Sequence, residues 1–186
     1  MAVEQPNYTT LLHENDFELR SYPALVVAEV TVTGDRSAAA GKGFRLLAGY
    51  IFGGNASRQS IPMTAPVIET RAQTLPITAP VLQTATDGAW TIQFIMPSRY
   101  AFETLPLPSD PAVRLHAAPA KHFAVVRFSG LIRQGVVEQK AADLNGFIAA
   151  HKLRALGPPS LAQYDPPWTL WFMRRNEIMI PVAPPA

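Results

Sequence analysis

The chain has 186 residues, 16 Lys and Arg against 14 Asp and Glu, a formal net charge of +2 and no cysteine. This length suits a single domain over residues 1–186 with a sizeable core, and the missing cysteine excludes disulfides, thiolate metal sites and a cysteine nucleophile. Charged residues make up 16% of the chain against about 25% in typical proteins. No basic run suggests nucleic-acid binding. Because so few residues are charged, the surface must expose apolar or neutral area, and we expect an apolar small molecule as partner, with a protein partner as the alternative.

The N-terminal residues lack the basic segment and apolar core of a secretory signal. No apolar stretch reaches the ~20 residues that a membrane-spanning helix needs. We therefore expect a cytoplasmic protein without a membrane span, and the absence of cysteine fits a reducing compartment.

The first strongly predicted strand belongs to an internal duplication. Residues 23–34 (PALVVAEVTVTG) align without gaps with residues 119–130 (PAKHFAVVRFSG), at an offset of 96. Both segments are rich in β-branched and aromatic residues, begin at Pro and end at Gly, which predicts a strand in each. The domain is therefore predicted to consist of two equivalent halves.

A helix is predicted after each of these two strands. Apolar residues recur at steps of four, three and four from Ala40 to Ile51, and again from Val137 to Ile148. Glycine and proline end both patterns, so we expect helices near residues 35–53 and 133–153. Further strands are predicted at residues 89–96, 168–173 and 177–182. Many strands with only two helices indicate an α+β fold rather than a parallel α/β sheet.

A shorter repeat lies between the two halves, at an offset of 14. It reads IPMTAPV at residues 61–67 and LPITAPV at residues 75–81. Proline at every fourth position prevents a helix and removes hydrogen-bond donors. These segments are predicted to be extended edge strands or polyproline-like, and two paired edge strands with a purely structural role are the alternative to a functional motif.

Several short blocks along nearly the whole chain resemble one protein family when their order and spacing are taken together. They are FELRSY at residues 17–22, GFRLL at 43–47, YIFGGN at 50–55, MTAPV at 63–67, YDPPW at 164–168 and RRNE at 174–177. In these blocks the chain resembles the SOUL family of haem-binding proteins. The resemblance implies a distorted β-barrel of two pseudo-repeated halves, each with one packed helix, similar to the ligand-sensing domain of gyrase-inhibitory-type regulators.

The resemblance also implies a ligand, namely haem or another tetrapyrrole. It places the ligand in a shallow apolar groove beside the first helix and a C-terminal loop, with basic residues facing the propionates and no axial iron ligand shared across the family. On the first helix, the apolar face carries Phe44, Leu47, Ala48 and Ile51. Core packing is the alternative role for each of them.

Polar and aromatic candidates complete this predicted site. Lys42 and Arg45 lie on the same helix and are suited to pair with propionates, although a solvated helix face is the alternative. Trp168, Trp171 and Phe172 follow a rigid Pro-Pro turn and are suited to cap a ring ligand. Ordinary packing in the barrel is their alternative role.

Two residues are candidate iron ligands. His122 shares strand parity with the apolar positions of its segment, and its duplicate partner is Val26, so it is predicted to face inward. A hydrogen-bonded core histidine is the alternative. Met63 offers a softer ligand. The other histidines are His13 in a polar stretch, His116, predicted to face solvent, and His151 at the edge of the second helix.

The sequence contains no catalytic signature that we could identify. It has no nucleophile elbow, no zinc-protease HExxH and no glycine-rich phosphate loop. We therefore expect a binding protein rather than an enzyme, with haem carriage, buffering or sensing as the leading hypothesis. The alternatives are a protein-interaction module that uses the same apolar surface, and an enzyme acting on a tetrapyrrole or another apolar small molecule.

Overall fold

A computed structural model describes residues 3–72, 88–166 and 168–185 of the chain. Within these residues the chain forms nine strands, two α-helices and two short 3-10 helices, at Phe102–Thr104 and Trp171–Met173. In chain order the strands and α-helices are β1 (Thr9–Glu14), β2 (Phe17–Tyr22), β3 (Leu25–Thr33), α1 (Arg36–Ile51), β4 (Val67–Arg71), β5 (Ala89–Ile95), β6 (Arg114–Ala118), β7 (Lys121–Phe128), α2 (Gln134–Ala150), β8 (Ser160–Gln163) and β9 (Asn176–Val182).

The described strands form one curled antiparallel sheet, an open half-barrel. Their order is β1-β2-β7-β9-β8-β4-β5-β3-β6. Helix α1 packs against β3 and β5, and α2 packs against β7 and β9. We call the surface under the two helices the helix face of the sheet, and the opposite surface the open face. The predicted α+β fold with two packed helices is confirmed.

The strand order displays the duplication. The two halves meet in the sheet where β8 pairs with β4. From β8 the sheet continues through β9, β7 and β2, and from β4 it continues through the equivalent strands β5, β3 and β6. Apart from the additional edge strand β1, each half runs strand, strand, helix, strand, strand along the chain. The first strand of each half pairs with the second strand of the other half, since β2 pairs with β7 and β6 with β3. β3 begins at Leu25 and β7 at Lys121, which confirms the offset of 96.

Helix α1 lies very close to the sheet. The Asp35 side chain caps its N-terminus by accepting the N–H of Ala38 at 3.0 Å. A Cβ atom added at Gly43 would lie 2.4 Å from Ile92 Cγ1 on β5, so only glycine permits this approach. This packing explains why burial alternates along β3 from Ala28 onwards, because Ala28, Val30 and Val32 all point into the core under α1.

The strand predicted at residues 168–173 is wrong. This segment forms a turn and the 3-10 helix Trp171–Met173, and β9 begins only at Asn176. A strand on this sheet would bury alternate side chains. Here the apolar residues are nearly consecutive and all are exposed: Trp168, Leu170, Trp171, Phe172 and Met173.

The edge-strand interpretation of residues 61–67 is also wrong. Residues 61–66 form no strand, and Val67 opens β4, which lies between β8 and β5 in the interior of the sheet. Pro62 and Pro66 precede β4, where a missing N–H costs no ladder hydrogen bond. The second copy, at residues 75–81, lies outside the described residues.

Candidate functional site

The outer edge of α1 presents one aromatic ring and two cations. Phe44 is 39% exposed, and its ring contacts Phe94 edge-on with the ring centroids 5.4 Å apart. Lys42 and Arg45 are exposed on the same helix, and Ala48, one turn after Phe44, is half-buried. Among the described residues neither cation has an acidic partner. This edge therefore offers apolar surface next to unpaired positive charge.

Leu47 and Ile51 lie on the same apolar face of the helix as Phe44 but point more deeply into the core. Leu47 is 0% exposed and Ile51 is 1% exposed. Both belong to the core between α1 and the sheet, together with Val30 and Ile92. Their side chains hold the helix on the sheet and do not reach its outer edge.

Residues 168–173, which we call the aromatic loop, expose five large apolar side chains. Trp168 is 83% exposed, and the rings of Trp171 and Phe172 meet edge-on with centroids 5.6 Å apart. The base of the loop is hydrogen-bonded. The Gly130 N–H donates to the Trp171 carbonyl at 3.1 Å, and Arg174 Nε donates to the Thr169 carbonyl at 2.7 Å. The loop is thus anchored by its backbone while its apolar side chains face water.

The segment between β7 and α2 brings the aromatic loop and the start of α1 to one side of the molecule. Gly130 contacts the loop as described, and two residues later the Ile132 carbonyl accepts a hydrogen bond from Arg36 Nη2 at 3.4 Å. Leu131 between them is exposed. At a rise of 1.5 Å per residue, Lys42 and Phe44 lie about 9 and 12 Å along the helix axis from Arg36.

The candidate iron ligands lie in different places. Met63 is half-buried against the core under α1, near the helix end that the Ile61 N–H fixes by donating to the Ile51 carbonyl at 2.7 Å. His122 is half-buried on β7, on the helix face that α2 covers. The structure therefore brings Met63 near α1 and places His122 in the other half of the fold.

The remaining histidines have acidic neighbours. His151 Nε2 lies 3.1 Å from Glu14 Oε2, and His13 Nε2 lies 3.9 Å from Glu18 Oε1. His116 lies on the open face, where its Nδ1 is 3.8 Å from Glu29 Oε2. Among the described residues, no three His, Asp or Glu side chains converge as a metal site would require.

A cleft on the open face was missed by the sequence interpretation. Its volume is about 230 Å³, and both halves of the fold contribute to it. Its apolar lining comes from Tyr22, Leu25, Val27, Ile68, Ile95, Ala118, Phe123 and Met179, and its prolines are Pro6, Pro23, Pro66, Pro119, Pro158 and Pro181. The sequence signal for this cleft is the alternation along β3. Some residues of β3 that point away from α1 are also apolar, which indicates a second apolar surface on the opposite face of the sheet.

A buried ionic cluster lies beside this cleft. Glu177 Oε2 accepts hydrogen bonds from Arg20 Nη1 and from the Tyr164 hydroxyl, both at 2.8 Å. Glu177 Oε1 accepts from Arg20 Nη2 at 3.0 Å and from Arg175 Nη2 at 2.7 Å. Arg20 Nη1 also donates to the hydroxyl of Tyr22, which lines the cleft. Both oxygens of the Glu177 carboxylate therefore accept hydrogen bonds from protein side chains.

The cluster fixes the charge of its members. Burial alone would raise the pKa of Glu177, but the hydrogen bonds and charges of Arg20 and Arg175 hold that pKa below its ordinary value. Burial also opposes the charge on Arg20, yet Glu177 and Glu18 raise its pKa. Burial raises the pKa of the Tyr164 phenol, with Glu177 adding to the effect. The cluster is therefore a fixed set of charges rather than a titrating one near neutral pH.

A second buried carboxylate lies on the helix face. Glu69 on β4 accepts a hydrogen bond from Gln163 Nε2, and its Oε2 lies 3.5 Å from Arg36 Nη1 at the start of α1. Burial raises the pKa of Glu69, and Arg36 and Gln163 offset only part of that effect. This group ties α1 to the middle of the sheet.

Comparisons with solved structures show the same fold. The C-terminal domain of EcmrR matches with a TM-score of 0.66 and 11% identity, over 95% of this chain and 98% of that one. A hydrolase from Listeria innocua matches with a TM-score of 0.59 and 12% identity, over 93% and 94% of the two chains. EcmrR in its complex with DNA matches at 0.64 and 11% identity, over 89% of this chain and 56% of that one. At these identities the likeness shows the fold alone.

Sequence comparison identifies the family. No protein of curated function has a sequence that matches the chain. No described helix has the length and apolar character needed to cross a membrane. The family model described as SOUL heme-binding protein matches residues 3–181, almost the whole chain. The chain therefore belongs to the SOUL heme-binding protein family.

Proposed function

We propose that this protein binds haem, or another tetrapyrrole, between the outer edge of α1 and the aromatic loop. The observation that carries the proposal is the exposure of the loop, in which Trp168, Trp171 and Phe172 face water although the backbone beneath them is hydrogen-bonded. A large exposed apolar patch on a globular protein commonly marks a site that binds a ligand or a partner. Family membership supports a tetrapyrrole as the occupant.

The residues fit the chemistry of a propionate-bearing ring. A tetrapyrrole offers a broad apolar plate, and the aromatic loop and Phe44 supply exposed rings to cover it. Lys42 and Arg45 supply two cations without acidic partners among the described residues, which suits carboxylates at the edge of the ring. Leu47 and Ile51 support this surface from within the core.

Axial ligation contributes little in this proposal. His122 lies in the other half of the fold, and Met63 is partly covered by core residues. Apolar burial contributes about 25 cal/mol per Å². A partly covered ring can therefore reach micromolar binding, about −8 kcal/mol, after the costs of association. Reversible binding of this strength fits a carrier, buffer or sensor.

The proposal is tested by comparing haemin with metal-free protoporphyrin. We expect similar affinities for the two, a several-fold loss in the double variant K42Q/R45Q, and little change in H122A. The control is K140Q, which removes a cation on α2 that is 3.8 Å from Asp143. Binding of haemin without binding of protoporphyrin, or loss of both the Soret shift and haemin affinity in H122A, would show that axial ligation dominates and would contradict the proposal.

A protein segment is the second candidate occupant of the aromatic loop. Tryptophan residues dominate the energetics of many protein interfaces, and two of them are exposed here. Under this alternative, haemin and protoporphyrin should not bind at micromolar concentration, and loop variants should alter only association with the protein partner. The same titrations therefore separate the two functions.

A further inference from the structure

We propose that the cleft on the open face is a second ligand site, which takes a small aromatic or branched aliphatic monocarboxylate. The cleft lies on the opposite side of the sheet from α1 and from the proposed tetrapyrrole site. It is lined by alternate residues of β3, β5, β6 and β7 that point away from the helices. Its size, its rigidity and the distribution of charge around it all bear on the choice of ligand.

The size of the cleft selects a small molecule. Its volume of about 230 Å³ exceeds the roughly 150 Å³ of an engineered apolar cavity that binds benzene. It falls below the range of roughly 300–1,000 Å³ found for sites that hold drug-sized ligands. One ring with a short side chain matches this space, whereas a tetrapyrrole exceeds it.

The cleft is preformed. Six of its lining residues are prolines, and each fixes one backbone dihedral angle. Pro23 and Pro119 occupy equivalent positions in the two halves, at the turns that precede β3 and β7. Less conformational freedom is lost when a ligand enters a site that is already ordered. The prolines also lack N–H groups, so they offer a ligand no backbone hydrogen-bond donor.

The charges around the cleft favour an anion. No Asp or Glu is among its lining residues, and the neighbouring Glu177 is fully paired with Arg20 and Arg175. Lys121 lines the cleft and has no acidic partner among the described residues. The other titratable nitrogen is that of His116, which lies 3.8 Å from Glu29. Lys121 is therefore the natural partner of a ligand carboxylate.

The two halves of the fold differ at this position, because only the second half carries a lysine there. Leu25 of β3 corresponds to Lys121 of β7, and Val27 corresponds to Phe123. All four residues line the cleft. One lysine among these four residues matches an apolar body with a single carboxylate.

The test uses three probes that share a phenyl ring on a three-carbon chain and differ in charge: 3-phenylpropionate, 3-phenylpropionamide and 3-phenylpropylamine. Titrations followed by amide chemical shifts should show the carboxylate binding at least 5-fold more tightly than the amide, and the amine most weakly. The shifts should concentrate on the lining residues of β3, β5, β6 and β7. The variant K121Q should abolish the advantage of the carboxylate, and K140Q should keep it.

A second variant tests the cavity itself. A118F places an aromatic ring in the cleft and should abolish binding of all three probes while haemin affinity stays unchanged. Its unfolding midpoint and amide spectrum establish that it is folded; if it does not fold, I68F replaces it. Equal affinity of the three probes, retention of the carboxylate advantage in K121Q, or shifts outside the cleft would each overturn the proposal.

Discussion

Arg20 on β2 and Glu177 on β9 form a bidentate ion pair across the intervening strand β7. Arg20 Nη1 lies 2.8 Å from Glu177 Oε2, and Nη2 lies 3.0 Å from Oε1. Both side chains are buried. Because the partners are 157 residues apart, the pair ties the first half of the chain to its last strand.

Removing one member of this pair should destabilise the protein strongly. R20M should lower the free energy of unfolding by about 3 kcal/mol, near the lower end of the range for a broken buried pair, because Arg175 still contacts Glu177. Urea unfolding measures the loss. The double variant R20M/E177Q should lose less than the sum of the single variants. A cost below about 1 kcal/mol for R20M would show that the pair contributes little.

The two buried carboxylates should give opposite pH dependences. The pKa of Glu177 is lowered from its ordinary 4.5, so its stabilising contribution is complete above pH 4.5 and is lost as the pH falls through the lowered pKa. The pKa of Glu69 is raised from 4.5, so its ionisation destabilises the fold as the pH rises from 4.5 through the raised pKa.

Unfolding free energies between pH 3 and 8 distinguish the two groups. The deficit of E177Q relative to the parent should shrink towards low pH, because protonation removes the same charge in the parent. E69Q should gain stability relative to the parent as the pH rises above the ordinary value of 4.5. The same sign of pH dependence in both variants would contradict these assignments.

Two glycines of α1 should respond oppositely to alanine. At Gly43 a Cβ atom would lie 2.4 Å from Ile92 Cγ1 and 2.9 Å from Ile92 Cβ, whereas nothing lies within 4 Å of a Cβ at Gly49. G43A should therefore destabilise the protein by forcing α1 off the sheet, by about 1–3 kcal/mol. G49A should stabilise it by about 0.5–1 kcal/mol. A neutral G43A in urea unfolding would mean that the helix can shift without cost.

The sequence predicts the two duplicated halves, but it does not predict which charged residues form ion pairs with each other. Local periodicity placed α1, α2, β3 and β7, because burial against one sheet face imposes a repeat on each element. Arg20 and Glu177 gave no such signal, since they meet only after β2 has crossed to the second half. The aromatic loop is predicted to be a strand, whereas the structure exposes its apolar side chains to water.

Neighbouring residues on α1 should separate stability from binding. L47A should cost roughly 2–5 kcal/mol, because Leu47 is completely buried. It should leave haemin affinity nearly unchanged wherever the variant is folded. F44A should cost less stability, because Phe44 is partly exposed, and should weaken haemin binding. Unfolding midpoints and haemin titrations on both variants measure this, and a large stability loss with unchanged affinity in F44A would remove Phe44 from the site.

The most direct test of the proposed tetrapyrrole site is to map bound protoporphyrin by amide and indole chemical shifts. The three tryptophans, Trp90, Trp168 and Trp171, give indole signals that single Trp-to-Phe variants assign. We predict the largest ring-current shifts at the indoles of Trp168 and Trp171 and at the amides of residues 42–48, with small shifts in the cleft around Ile68 and Phe123. Large shifts confined to the cleft, with both loop indoles unmoved, would contradict it.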